Sequence, residues 1–401
     1  MMAKELLGAG TVALALSVLI ESASVSAQVL VPVQSERLNH EIPIPVFAAD
    51  ATWPDLPEDM MLGQVSGISV GPDDHLWLTQ RPHSLGPTDT GLDRGEAVAC
   101  CRTPEPVLRL DPQGRVVAAW GGPDHAPEID GVNQWPASTH GIYVDADSNV
   151  WIGGNGAGDH AALKFSASGE YLGQVGRREQ TGGNFSENLL GLPSDISVAG
   201  DSVLFADGYA NKRVIEFSET GDGVFAFEEL FGAWGKPPVA PVREGDFDQS
   251  QATSTSDGGP QLEGENFGDI VHCVVRGPDS TLYVCDRRNN RVQIFRETEA
   301  GFQFLENLVI AGETGGTRTA TDVGFSPDGT YVYVADMMNG RVWILLRETH
   351  EVLGSFGKNG RYLGEFIWLH SLDVDSQGNI YTSEVSTGRR VQRFVMTGIA
   401  E

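Results

Sequence analysis

The chain has few basic groups: 27 lysines and arginines stand against 55 aspartates and glutamates, for a formal net charge of −28 over 401 residues. That balance favours solubility and argues against a basic face for nucleic acid or an anionic lipid surface. Long apolar runs are missing beyond the N-terminus. The one run there, Leu6 to Ile20, falls short of the ~20 residues that cross a bilayer. It is followed by small residues ending Val25-Ser26-Ala27. Residues 1–27 therefore read as a signal peptide cut before Gln28. The mature chain, residues 28–401, is expected to be secreted or periplasmic, free of the membrane, and a monomer. Cysteine is scarce, with 4 in the chain, and none has the C-x-x-C spacing of a metal site. Cys273 and Cys285 flank a predicted hairpin turn and are placed to face each other across it. The adjacent Cys100 and Cys101 read as free thiols or as a strained bond between neighbours. Nucleophile elbow, phosphate loop and dinucleotide fingerprint are all absent. So is any convincing amphipathic helix, which argues against a βαβ fold.

What is present is a repeat. Six segments each alternate apolar and polar residues, turn through Asp, Gly, Ser or Asn, and resume a second strand. They read GISVGPDDHLWL (67–78), GIYVDADSNVWI (141–152), DISVAGDSVLFA (195–206), CVVRGPDSTLYV (273–284), DVGFSPDGTYVYV (322–334) and SLDVDSQGNIYT (371–382). A third strand often follows an Arg-Val step, as in NKRV (211–214), NNRV (289–292), NGRV (339–342) and GRRV (388–391). Four short antiparallel strands per copy, at a period of roughly 50 to 80 residues, predict an all-β, six-bladed β-propeller. The last copy runs out after three strands, so a strand within Ile42 to Phe47 is expected to complete it and close the ring. Two long loops, about 82–106 and 236–267, are expected over one face, the first as a lid.

The repeat carries a functional pattern. Eleven residues before the aromatic of each second strand (twelve in the fifth copy, where the turn is one residue longer) lies a slot that reads Ser66, His140, Ser194, His272, Thr321, His370. The slot opens the innermost strand, so the three histidines, in alternate blades, are expected to converge on the propeller axis. Three imidazoles with an open fourth position suit a catalytic zinc. Iron, cobalt or copper also accept such a set. Fifteen residues further on (sixteen in the fifth copy), a second ring reads Arg81, Asn155, Tyr209, Arg287, Met337, Val385. Arginine forks match a carboxylate, and a phenol beside cations can act as a base. Arg287 also stands next to Asp286, an alternative partner within its own blade. Metal, guanidinium groups and phenol together suit a small anionic, oxygenated substrate.

At this point the chain resembles the NHL-repeat propellers and, more narrowly, the peptidyl-α-hydroxyglycine α-amidating lyase family, over about residues 50 to 401. The matching stretches are GQVSGISV (63–70) leading to Arg81, THGIYVD (139–145), DGYANKRV (207–214), VHCVV (271–275) leading to CDRRNNRV, and LHSLDV (369–374). The resemblance implies a zinc held by His140, His272 and His370, a catalytic Tyr209, and active-site Arg81 and Arg287. It implies cleavage of the C–N bond of a peptidyl-α-hydroxyglycine, or a similar α-hydroxy-amide, to an amide and glyoxylate. It further implies a structural calcium with backbone ligands at Ile68 and Ile142, although Ser371 stands where the family has an aspartate ligand. Trp368 replaces a methionine near the third histidine, which alters the pocket wall. Two other readings remain open: a secreted propeller that binds protein or glycan, and a metal-dependent hydrolase such as a lactonase.

Overall fold

The structure, a computed structural model, describes residues 28–86, 89, 101–221, 223–238 and 260–401. The expected signal segment 1–27, Cys100 and most of the two expected long loops lie outside them.

Six antiparallel sheets stand around an axis as blades. Their innermost strands are Gln64–Val70, Thr139–Val144, Asp195–Ala199, Val271–Gly277, Asp322–Phe325 and Leu369–Val374. The second strands are Leu76–Arg81, Val150–Gly154, Ser202–Asp207, Thr281–Asp286, Tyr331–Asp336 and Ile380–Glu384. The tight turns between the two need a left-handed residue, and the Asp, Ser and Gly of the repeat supply it: Asp74 (φ 59°), Ser148 (φ 63°), Gly200 (φ 61°) and Gly378 (φ 82°).

The core lies between blades. The aromatic after each slot, namely Trp77, Trp151, Phe205, Tyr283, Tyr333 or Tyr381, is almost wholly buried. Each packs among apolar side chains of the neighbouring blade, as Trp77 does against Ile142, Val150 and Phe165. Burying side chains of this size contributes about 2–3 kcal/mol apiece, so six aromatics at one repeat position hold the blades in a common orientation.

The ring closes as expected. Ile44–Asp50 pairs antiparallel with the C-terminal strand Val391–Ala400 of blade six, ending three residues beyond the segment first outlined. More of the N-terminus is used than the repeat foretold. Leu30–Pro32 extends blade six and Ser35–Arg37 extends blade five, each covering a sheet edge. A small hairpin of Glu128–Ile129 and Val132–Asn133, which the repeat gave no sign of, joins blades one and two.

Cys273 and Cys285 face each other in register and form a disulfide. The free-thiol alternative for Cys101 is overturned, because this residue is disulfide-bonded.

Candidate metal centre

The slot residues meet at the axis because the inner strands are bulged there. The register of the first two strands breaks between Val65 and Gly67, Thr139 and Ile142, Val271 and Cys273, and Leu369 and Ser371. Each break contains the slot residue of its blade. A bulge re-aims a side chain that would otherwise follow the pleat, and here it turns three imidazoles inward. Close approach of neighbouring inner strands is the second requirement. A Cβ on Gly141 would lie 2.5 Å from the Ser194 carbonyl oxygen, and one on Gly67 would lie 2.6 Å from that of His140.

One potential ligand atom from each of His140, His272 and His370 lies within 4.8 Å of the other two. All three rings are buried. The alternation of histidine with serine or threonine has a physical reason. His140 Nδ1 lies 2.7 Å from the Ser194 carbonyl, and His272 Nδ1 2.6 Å from that of Thr321. His370 bonds the Ser66 carbonyl in the same manner. The slot residue of each following blade thus orients the histidine before it. An Nδ1–H donated to a carbonyl leaves Nε2 with a free lone pair.

Burial lowers the pKa of all three rings well below the ordinary histidine value. The next causes are His370 and then Arg81 for His140, and Arg287 for both His272 and His370. The rings are therefore neutral. His272 Nε2 and His370 Nε2 stand 3.2 Å apart with both protons committed elsewhere, an arrangement of two lone pairs that a cation between them satisfies. The donor set, its neutrality and its second-shell carbonyls all fit a divalent metal.

Above this cluster opens a cavity of about 180 Å3, lined by Arg81, Asn155, Tyr209, Arg287, Met337 and Val385, with Ile270, Arg318, Trp368 and His370. All six positions of the second ring are present. The Tyr209 hydroxyl lies 2.7 Å from His140 Nε2. The Arg287 guanidinium lies 5.7 Å from the Tyr209 ring centre and hydrogen-bonds this tyrosine. Asp286, the alternative partner of Arg287, is taken instead by Arg291 at 2.8 Å and Asn289 at 2.9 Å. Arg81 is fixed by Nε to the Thr139 carbonyl (2.9 Å), Nη1 to Gln64 (3.0 Å) and Nη2 to Asn155 (2.9 Å).

Counting from the slot missed Arg318 and Ile270, while Trp368 stands in the wall where the family resemblance placed it. These precede the slot residues Thr321, His272 and His370 by three, two and two residues and turn into the mouth through positive φ: 83° at Arg318, 117° at Ile270 and 56° at Trp368. Their signal was their place just before a slot rather than fifteen residues after one.

Down the inner strands, on the other side of the histidines, lies a narrow cavity of about 20 Å3. Ile68, Ile142 and Ser371 line it together with Asp195 and Asp322.

The Cys273–Cys285 disulfide belongs to the same region. It joins the residue after His272 to the strand that leads into Arg287.

No protein-family model matches the chain. It is 23% identical over 369 residues to peptidyl-alpha-hydroxyglycine alpha-amidating lyase 1 of Drosophila melanogaster, covering 87% of this chain and 60% of that protein. It is 24% identical over 269 residues to NHL repeat-containing protein 3 of Homo sapiens, covering 64% of this chain and 66% of that protein. The chain thus spans less than two thirds of these curated relatives. A gluconolactonase structure from Xanthomonas campestris superposes with a TM-score of 0.49 at 13% identity, over 92% of this chain and 100% of that one. The chain is a six-bladed β-propeller that resembles, at distant identity, both amidating lyases and NHL repeat proteins.

Proposed function

We propose that this protein is a zinc-dependent carbon–nitrogen lyase that cleaves a peptidyl-α-hydroxyglycine, or a similar α-hydroxy-amide, to an amide and glyoxylate. The observation that carries this reading is the Tyr209 hydroxyl at 2.7 Å from one of three converging histidine nitrogens, under two fixed guanidinium groups. A phenol set beside a metal-ligand cluster suits removal of a proton from a hydroxyl brought to that cluster. A binding module has no use for it. Similarity to an amidating lyase over 87% of the chain supports the same class of chemistry.

His140, His272 and His370 would hold the zinc, whose Lewis acidity would make the substrate hydroxyl easier to deprotonate. Arg81, held by three partners, presents a rigid fork for the substrate carboxylate. Arg287 orients the Tyr209 ring and adds positive charge where anionic oxygen develops. Tyr209 Oη, acting as the phenolate beside the metal site and Arg287, takes the hydroxyl proton and can return it to the departing nitrogen. The O–H electron pair becomes the carbonyl bond of glyoxylate as the C–N bond breaks. The pair from that bond stays on nitrogen, which takes up a proton to give the primary amide. Buried walls of Ile270, Met337 and Val385 limit water around these groups.

The test is Tyr209→Phe, assayed for glyoxylate release from an N-acyl-α-hydroxyglycine beside metal content. Turnover is expected to fall about 10²- to 10⁴-fold with metal content unchanged. Full release by the variant sinks the role of Tyr209. Water incorporated into a new carboxylate, in place of an aldehyde product, replaces the lyase with a hydrolase.

A further inference from the structure

The pocket carries one guanidinium more than a single substrate carboxylate needs. Arg318 enters from the turn before the inner strand of blade five, outside the ring that supplies Arg81 and Arg287. Its guanidinium carbon lies 5.5 Å from the ring centre of Trp368, whose indole is 41% exposed. At that distance the guanidinium and the indole make a cation–π contact that helps to place the Arg318 side chain. Among the described residues lining the cavity none is acidic. Three cationic groups therefore share one small cavity. Burial pushes the Arg318 pKa down to about 10, and repulsion from Arg287 adds to this. Anions entering the pocket relieve that repulsion, and a low-dielectric wall strengthens each contact. The backbone is also costly here, since Arg318 holds φ at +83° and Trp368 at +56° without the freedom of glycine.

We propose that the natural substrate bears a second carboxylate on the acyl side of the scissile amide, and that Arg318, backed by Trp368, is the specificity residue that binds it. This rests on the lyase reading for the orientation of the substrate. The hydroxy-acid end takes Arg81 and Arg287. The acyl end then points to the rim, where Arg318 and the exposed indole form the remaining wall. The substrate class is a compact diacid α-hydroxy-amide rather than a long neutral peptide.

The experiment compares N-succinyl-α-hydroxyglycine with its neutral isostere, N-succinamoyl-α-hydroxyglycine, on metal-loaded wild type, Arg318→Gln and Arg318→Lys. Metal content and melting temperature confirm that each variant is folded. Calorimetric binding of succinate against butyrate gives a readout independent of turnover. The wild type is expected to prefer the succinyl compound in kcat/KM, and succinate over butyrate in affinity, by about tenfold or more, the size of one desolvated charge-assisted contact. Arg318→Gln should bring both ratios near one, and Arg318→Lys should retain part of each. A wild-type ratio near one, or ratios unchanged in Arg318→Gln, overturns the proposal. Succinate selectivity that depends on Arg318, with neither hydroxyglycine turned over, keeps the second-carboxylate subsite and sinks the lyase reading alone.

Discussion

The two sides of the histidine ring have opposite electrostatic character. The mouth holds Arg81, Arg287 and Arg318. The axial channel beyond the ring is lined by Asp195 and Asp322; burial raises the pKa of both and of the nearby Asp373, and Asp373 adds to the rise at Asp195, as Asp195 and Asp373 do at Asp322. In a chain of net charge −28 the carboxylates are the expected residues and the arginines are the exception. Their bonding differs as well. Asp195 accepts the N–H of Val274 at 2.9 Å, Asp322 that of Leu372 at 2.9 Å, and Asp373 that of Val70 at 2.6 Å. Each clasp runs from one inner strand to the next, so these acids hold the ring of blades together. At the seam of blades one and two Ser69 does the same for the Val144 N–H at 3.1 Å. Arg81 is instead fixed by Thr139, Gln64 and Asn155 and Arg287 by Tyr209, and both line an open cavity. Buried charge that is satisfied by backbone serves architecture, and buried charge aimed at open space serves a ligand.

The histidine ring divides these two regions, and removing it is expected to have the largest effect. His272→Ala should take metal content from about one zinc per chain to almost none. Glyoxylate release should fall by well over the 10- to 100-fold that loss of an outer partner costs. Elemental analysis beside the activity assay measures both. A variant that keeps stoichiometric zinc would mean that the mouth and the channel are not separated by a metal.

Gly141→Ala is a subtler way to break the same division. Its Cβ would sit 2.5 Å from the carbonyl that orients His140, and backbone has to move to admit it. Overpacking of this kind costs about 1–3 kcal/mol, and disturbing the orienting carbonyl should weaken zinc about tenfold. Urea unfolding and competition with a chelator read the two effects separately. Lost stability with unchanged affinity would show that the close strand approach matters to the fold and not to the ligand.

Much of this contrast was legible in the sequence, for identifiable reasons. The propeller could be read because its short turns demand left-handed residues and its strands alternate, which leaves Asp, Gly and Ser at fixed offsets. The slot and the second ring could be read because one position per blade becomes one ring in space, and all six second-ring residues line the mouth. The bulges that aim His140, His272 and His370 were not legible, since a bulge is set by how two strands pair and leaves no residue signature of its own. Arg318 escaped because it reaches the mouth from the opposite end of a strand connection. The N-terminal strands Leu30–Pro32 and Ser35–Arg37 escaped because three residues, nearly all exposed, carry too little alternation to register. The carbonyl contacts explain the serines and threonine of the slot, which from sequence alone were only the places where histidine was missing.

The smallest effect belongs to the channel side and separates clasp from ligand. Burial pushes the Asp373 carboxyl up to about 6 from an ordinary 3.8, against the lowering effect of its bonds from the Val70 and Val374 N–H groups. A carboxyl whose folded value stands above its unfolded one holds its proton more tightly in the folded state. Its contribution is therefore complete below about pH 4 and is lost as pH rises through about 6. The difference between those values corresponds to about 3 kcal/mol. Asp373 keeps part of its surface exposed, so solvent screening reduces the expected effect to about 1–2 kcal/mol. Asp373→Asn keeps an acceptor for Val70 and removes the titration. The variant should gain about 1–2 kcal/mol relative to wild type between pH 4 and pH 8, read as the difference between two unfolding series. An equal pH slope in both proteins would show that Asp373 is charged in the fold at no cost. The channel would then be a stabilised anionic site like the mouth's mirror image, and the acids would belong with the ligand-binding groups rather than with the clasps.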